Sequence, residues 1–81
     1  NNSFQNYALR RLLKAKPENI SDFVPELIKS FQSDAPYTSY LSVRVIQRLR
    51  SQSGEIRTAL AQLTEDRSFV VKNASKEALE D

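Results

Sequence analysis

Glycine occurs once in this chain of 81 residues, at position 54. That scarcity limits the fold more than any other feature. Two-residue β-hairpins need positive φ, which Gly supplies at no steric cost and Asn at little. The chain has no Asn-Gly or Asp-Gly pair. Its apolar residues recur instead at three- and four-residue spacing, the signature of one face of an α-helix. The predicted fold class is all-α. Leu, Ile, Val and Phe make up about 27% of the residues, above the roughly 20% below which chains stay disordered. A core is therefore expected, though a thin one, because small domains bury a smaller share of their surface.

The spacing predicts five short helices, with neighbours antiparallel because the connections are short. The first covers residues 3–15, capped by Ser3, with Phe4, Ala8, Leu9, Leu12 and Leu13 on one face. Residues 16–19 read as a turn, since Pro17 drives Lys16 out of the α region. The second helix covers residues 21–32, with Ser21 or Asp22 as cap, Pro25 near its first turn, and Val24, Leu27, Ile28 and Phe31 inward. Ile20 and Phe23 lie beside that stripe and are expected to staple the helix entry. The third begins at position 36 or 39 and ends near 50, with Leu41, Val45, Ile46 and Leu49 inward. The fourth covers residues 53–64, capped by Ser53, with Ile56, Ala59, Leu60 and Leu63 inward. The fifth begins at 66 or 68 and ends near 80, with Val70, Val71, Ala74, Ala78 and Leu79 as its apolar set.

The second helix repeats in the fourth. A shift of 32 lays Val24 on Ile56, Leu27 on Ala59, Ile28 on Leu60, Phe31 on Leu63 and Asp34 on Asp66. Among the odd-numbered helices, Phe4, Ala8 and Leu12 align with Leu41, Val45 and Leu49 at a shift of 37. Those align with Val70, Ala74 and Ala78 at 29. From Asp66 onward the chain reads Asp, four residues, Val71-Lys72, then Ala74, Ala78 and Leu79. This resembles the Asp-x4-Val-Arg and spaced Ala of HEAT-like helical repeats of the phycobilisome-lyase type, with Lys72 in place of the usual Arg. The resemblance spans nearly the whole chain as about two and a half helical hairpins, an α-solenoid fragment. It implies an inter-repeat ladder of Asp66 with Lys72 and of Asp34 with Arg44. It also implies that the even-numbered helices present a concave, partner-binding side, with Glu26, Lys29 and Ser30 and then Thr58, Ala61 and Gln62 facing solvent. The alternative fold is a closed five-helix bundle, for which helical periodicity looks the same.

Catalytic chemistry has few carriers here. The chain has no His and no Cys, which removes the commonest general base, the thiolate and the commonest transition-metal ligands. Ten serines lack a histidine to activate them, and Lys14, Lys16 and Lys29 read as solvated helix faces. Glu65-Asp66 and Glu80-Asp81 read as a helix-end turn and a tail, and Gly54 alone makes no phosphate loop. Neither an enzyme nor a cofactor is expected. No run approaches the roughly 18 apolar residues of a membrane span. The chain starts at Asn1 without Met, from which a piece of a longer chain is expected. The lack of Cys suits the cytosol, though also a secreted domain.

Charge divides the chain. Residues 1–50 hold eight Lys/Arg against four Asp/Glu, and residues 51–81 hold four against six. Arg10, Arg11 and Lys14 on the first helix and Arg44, Arg48 and Arg50 on the third suggest a basic stripe, since Arg11 falls on Arg48 at the shift of 37. The leading expectation is a non-catalytic module that scaffolds a protein or peptide partner. The alternative is a nucleic-acid-binding helical repeat using Arg10, Arg11, Arg44 and Arg48, as basic surfaces attract phosphates. Tyr37 and Tyr40 are candidate aromatic anchors. The apolar run Phe69-Val70-Val71 suggests self-association at the C-terminal end.

Overall fold

Of the six helices that the computed structural model shows among its described residues, two begin on a proline and a third carries one in its first turn. The model describes residues 3–49 and 52–80, with side chains from residue 5 onward. The helices are α1 (Ser3–Leu12), α2 (Pro17–Ser21), α3 (Val24–Phe31), α4 (Pro36–Ile46), α5 (Gly54–Leu63) and α6 (Phe69–Glu80). No strand occurs among the described residues, so the fold is all-α. Asn1, Arg50, Asp81 and the side chains of Ser3 and Phe4 lie outside the described residues.

The prolines set the helix starts because a first-turn N–H has no partner to lose. Pro17 opens α2, Pro25 falls in the first turn of α3 and Pro36 opens α4. Five helices were expected and six are found among the described residues, because Pro17 and Pro25 act differently from that expectation. Lys16 is indeed extended, with φ −71° and ψ 147°, but the helix resumes at once on Pro17 instead of turning through residue 19. The helix then cannot run on into α3. Pro25 has no N–H for the Ser21 carbonyl, and its ring crowds that oxygen. The chain breaks at Asp22-Phe23, and Phe23 takes φ −108° and ψ 9°.

Side chains cap the two C-terminal helices. Ser53 Oγ accepts the Ile56 N–H at 3.3 Å at the start of α5. Asp66 Oδ1 accepts the Ser68 N–H at 2.8 Å, and Ser68 Oγ accepts the Val71 N–H at 3.4 Å, so Asp66 shapes the loop and Ser68 caps α6. The helices also end without left-handed residues. No described residue has positive φ, Gly54 included. The residues that close α2, α4 and α5, Asp22, Gln47 and Thr64, are right-handed. Their N–H groups, and those that follow, turn back on carbonyls such as Ala61 and Val45. A chain poor in Gly closes its helices this way.

Helix α4 occupies the middle of the molecule. It packs on α1, α3 and α6, while α5 packs on α3 and α6. The shortest dimension, 17 Å, fits about two layers of helices 8–10 Å apart. The radius of gyration is 11.3 Å, close to the roughly 11.7 Å of a compact chain this long. One core joins all the helices, with Ile20, Leu27, Phe31, Val43, Val45, Ile46, Leu60 and Val71 nearly inaccessible.

Much of the surface between α4 and its neighbours is small and polar. Thr38, Ser39 and Ser42 are buried on α4, and Ser75 is buried on α6. Each hydroxyl donates a hydrogen bond. Thr38 Oγ1 reaches Asn6 Oδ1 at 2.6 Å, Ser42 Oγ reaches the Thr38 carbonyl at 2.9 Å, Ser39 Oγ reaches the Ser33 carbonyl at 3.3 Å, and Ser75 Oγ reaches the Lys72 carbonyl at 2.8 Å. Among the described residues no buried side-chain N or O is left without a partner. Each hydrogen bond therefore offsets the desolvation of its hydroxyl, and the small side chains let the backbones approach.

These residues also reveal the register that relates α1, α4 and α6. At a shift of 32, Ser39, Ser42, Val43 and Ile46 of α4 fall on Val71, Ala74, Ser75 and Ala78 of α6, and all eight are buried. The same offset relates α3 to α5. The burial pattern replaces the expected shift of 29, which laid buried Leu41 on Val70, a residue 56% exposed. Gln5, Asn6, Leu9 and Leu12 of α1 fall on Ser42, Val43, Ile46 and Leu49 at 37, each buried or half-buried. The difference of five between the two shifts equals the length of α2.

Candidate interaction surface

Helix α1 rests on α4, and between α1 and α3 the molecule is open. The cleft there has a volume of about 1450 Å³ and runs along α1 from Gln5 to Ala15. Its sides are apolar: Ala8, Leu9, Leu12, Leu13 and Ala15 on α1 and its following turn, Phe23 and Leu27 on the other wall. One hydrogen bond crosses it, from Gln5 Nε2 to Ser30 Oγ at 2.6 Å. Two contacts hold α1 from the α4 side. One is the Asn6–Thr38 bond, and the other joins Arg48 Nη2 to the Ala15 carbonyl at 2.8 Å.

The rim of the cleft is cationic. Arg10, Arg11, Lys14 and Lys29 surround it, and Glu26 is its one acid. Among the described residues the single ion pair joins Arg44 to Glu77 at 3.8 Å, between exposed side chains. No described carboxylate therefore lies within 4.0 Å of the four rim cations. Arg11 instead sits 5.8 Å from the centroid of the Tyr7 ring, and its Nη1 is 3.4 Å from the Tyr7 hydroxyl. Tyr7 and Phe23, half exposed, are the aromatic residues at the opening.

The structure regroups the residues singled out from sequence. Glu26 and Lys29 are exposed as expected and line the cleft, whereas Thr58 and Gln62, also exposed, lie apart from it on α5. Ser30 was expected at the surface but is buried. It faces α1, donates to the Glu26 carbonyl at 3.0 Å and accepts from Gln5. Of the basic stripe, Arg10 and Arg11 reach the cleft. Arg48 is engaged with the turn that follows α1, and Arg44 points toward α6, with Gln47 Oε1 at 3.0 Å as well as Glu77. In the implied ladder, Arg44 meets Glu77 instead of Asp34, and Asp66 holds the Ser68 N–H. No described ion pair includes Asp34 or Lys72.

Tyr37 and Tyr40 stack on each other at 6.4 Å, with Tyr37 exposed and Tyr40 half-buried. Val71 turns inward while Phe69 is 72% exposed, leaving a small apolar patch with Val70 at the start of α6. Among the described residues no three acidic side chains gather as a metal site would require, and no helix is long and apolar enough to cross a membrane. Sequence reasoning missed the cleft itself, and with it the parts played by Tyr7 and Phe23. The available signal was Phe23, an aromatic residue at the break before Pro25.

Compared with family models, with curated proteins and with solved structures, the chain shows no significant match.

Proposed function

We propose that this chain is a non-catalytic protein–protein interaction module built of HEAT-like helical hairpins. The observation that carries the reading is the apolar α1–α3 cleft, about 1450 Å³ in volume. That exceeds the roughly 300–1,000 Å³ of a small-molecule site, and the cleft is open along one whole helix, as a groove for a polypeptide is. The repeat reading draws support from the 32-residue offset that relates buried positions of α4 to those of α6 and the apolar, buried or half-buried stripe of α3 to that of α5. A cysteine-free module of this kind suits the cytosol.

The test is selection from a display library of unconstrained peptides, run on the native chain and on Ala8→Glu. Ala8 is exposed in the cleft wall, so a carboxylate there blocks apolar contact without entering the core. Peptides that bind the native chain and lose Ala8→Glu support the module. A selection that yields no peptide above background contradicts it. Binding of labelled DNA or RNA that falls with about 0.9 of log–log salt slope per phosphate, and is lost with Arg44→Ala/Arg48→Ala, would establish the nucleic-acid alternative instead.

A further inference from the structure

We propose that the α1–α3 cleft takes an acidic amphipathic helix, an inference that rests on the interaction-module reading and names its partner's chemistry. Three observations converge on it. First, the cleft has an apolar floor, Leu9, Leu12, Leu13 and Leu27 among its residues, between two helical walls. A groove between helices offers no strand edge to extend, so a guest satisfies its own backbone by being helical. Such guests dock through side chains at i, i+3, i+4 and i+7.

Second, the dimensions fit. The helical part of the α1 wall runs from Gln5 to Leu12, about 12 Å at 1.5 Å per residue, and the turn through Ala15 lengthens it. That length accommodates at least two turns of a guest helix, and so two or three successive apolar anchors.

Third, the rim charge is one-sided. Arg10, Arg11, Lys14 and Lys29 face one carboxylate, Glu26, and no described carboxylate lies within 4.0 Å of the four. Arg10 on α1 and Lys14 in the turn after it lie four residues apart and both line the cleft, so they present cations to a guest's carboxylates along the α1 wall. Lys29 does the same from α3. The arrangement favours a peptide over a nucleic acid. A polyanion uses the cations but not the apolar floor, and the two guanidiniums that would extend the row, Arg44 and Arg48, are turned to Glu77 and to the Ala15 carbonyl.

A second copy of the chain fits less well. Its exposed apolar patch is Phe69-Val70, which is short and flanked by Arg67 and Lys72.

The test is a display library of helical peptides with Leu fixed at i, i+3, i+4 and i+7 and every outward position free to be Glu, Gln or Lys. Peptides enriched by the native chain should carry a clear excess of Glu. The double variant Lys14→Glu/Lys29→Glu should bind them about tenfold more weakly, by loss of two rim charges and gain of two repulsive ones. It should also shift its own selection toward Lys. Reversing Arg67, outside the cleft, should change neither result. Enrichment without acidic bias overturns the proposal. So does an empty helical selection when the unconstrained library still yields binders sensitive to Ala8→Glu, in which case the module stands and the helical partner does not. Failure of both libraries overturns both readings. Displacement of enriched peptides from the cleft by an oligonucleotide of equal affinity also overturns the proposal, in favour of a phosphate ligand.

Discussion

Helices α1 and α6 flank α4 on different sides and meet different fates. Helix α6 packs on both α4 and α5 and buries Val71, Ala74, Ser75 and Ala78. Helix α1 packs on α4, but toward α3 it is held by one side-chain hydrogen bond, and Leu9 is its buried apolar residue among the described side chains. The contrast lies in the chain between the helices. Five residues of loop and cap join α5 to α6, with Asp66 and Ser68 fixing the turn. Between α1 and α3 lies the extra helix α2, whose Ile20 is fully buried. The five residues of α2 go with an opening between α1 and α3, so part of the apolar side of α1 lines a cleft instead of meeting α3.

The sharpest way to break this comparison is to place the same residue change on both flanks. Ala78→Glu sets a carboxylate at a fully buried site, at a cost of at least about 3 kcal/mol. A domain of this length has about 4–12 kcal/mol in total, so the variant should lose about a quarter or more of its stability and unfold at markedly lower urea. Ala8→Glu, at an exposed position, should change stability by no more than about 0.5 kcal/mol. Equal losses in urea titrations would mean that α1 is as closed as α6.

A smaller effect separates the two flanks through one hydroxyl. Thr38→Val removes the donor to Asn6 Oδ1, with an expected loss of about 1–3 kcal/mol. Amide exchange should speed up in α1 and leave α6 unchanged, because α6 has no share in that bond. The smallest effect concerns the glycine that sets the chain apart. Gly54 has no positive φ, and an added Cβ there would meet nothing within 4 Å. Gly54→Ala should therefore raise stability by about 0.4–1 kcal/mol, by restricting the unfolded chain, with the thermal midpoint as readout.

The all-α class was legible because periodicity and glycine scarcity point the same way. Val24, Leu27, Ile28 and Phe31 lie inward or half-inward, as their spacing requires, and so do Ile56, Ala59, Leu60 and Leu63. The α4–α6 register was not legible. Three of the eight positions that carry it are Ser39, Ser42 and Ser75, which a hydrophobic pattern passes over, and the conspicuous Val70 faces solvent. Hydroxyls that bond their own helix's carbonyls can be buried cheaply, and sequence does not mark which ones are. Helix α2 was hidden because a proline that ends one helix can also start the next. At the candidate site, Glu26, Lys29, Arg10 and Arg11 stood out as charged residues, but they were assigned to two different surfaces. Only the placement of α1 on α4 brings them to one rim, and that placement depends on contacts far apart in sequence, such as Asn6 with Thr38.

The most direct test of the central claim is amide hydrogen–deuterium exchange of the native chain, alone and saturated with a peptide selected on it. Protection should rise in α1, in its following turn and in α3, with α5 and α6 unchanged. Protection centred on Thr58 and Gln62, on Arg44, or on Phe69 and Val70 would place the interaction elsewhere and contradict the account of an open α1–α3 cleft as the binding surface.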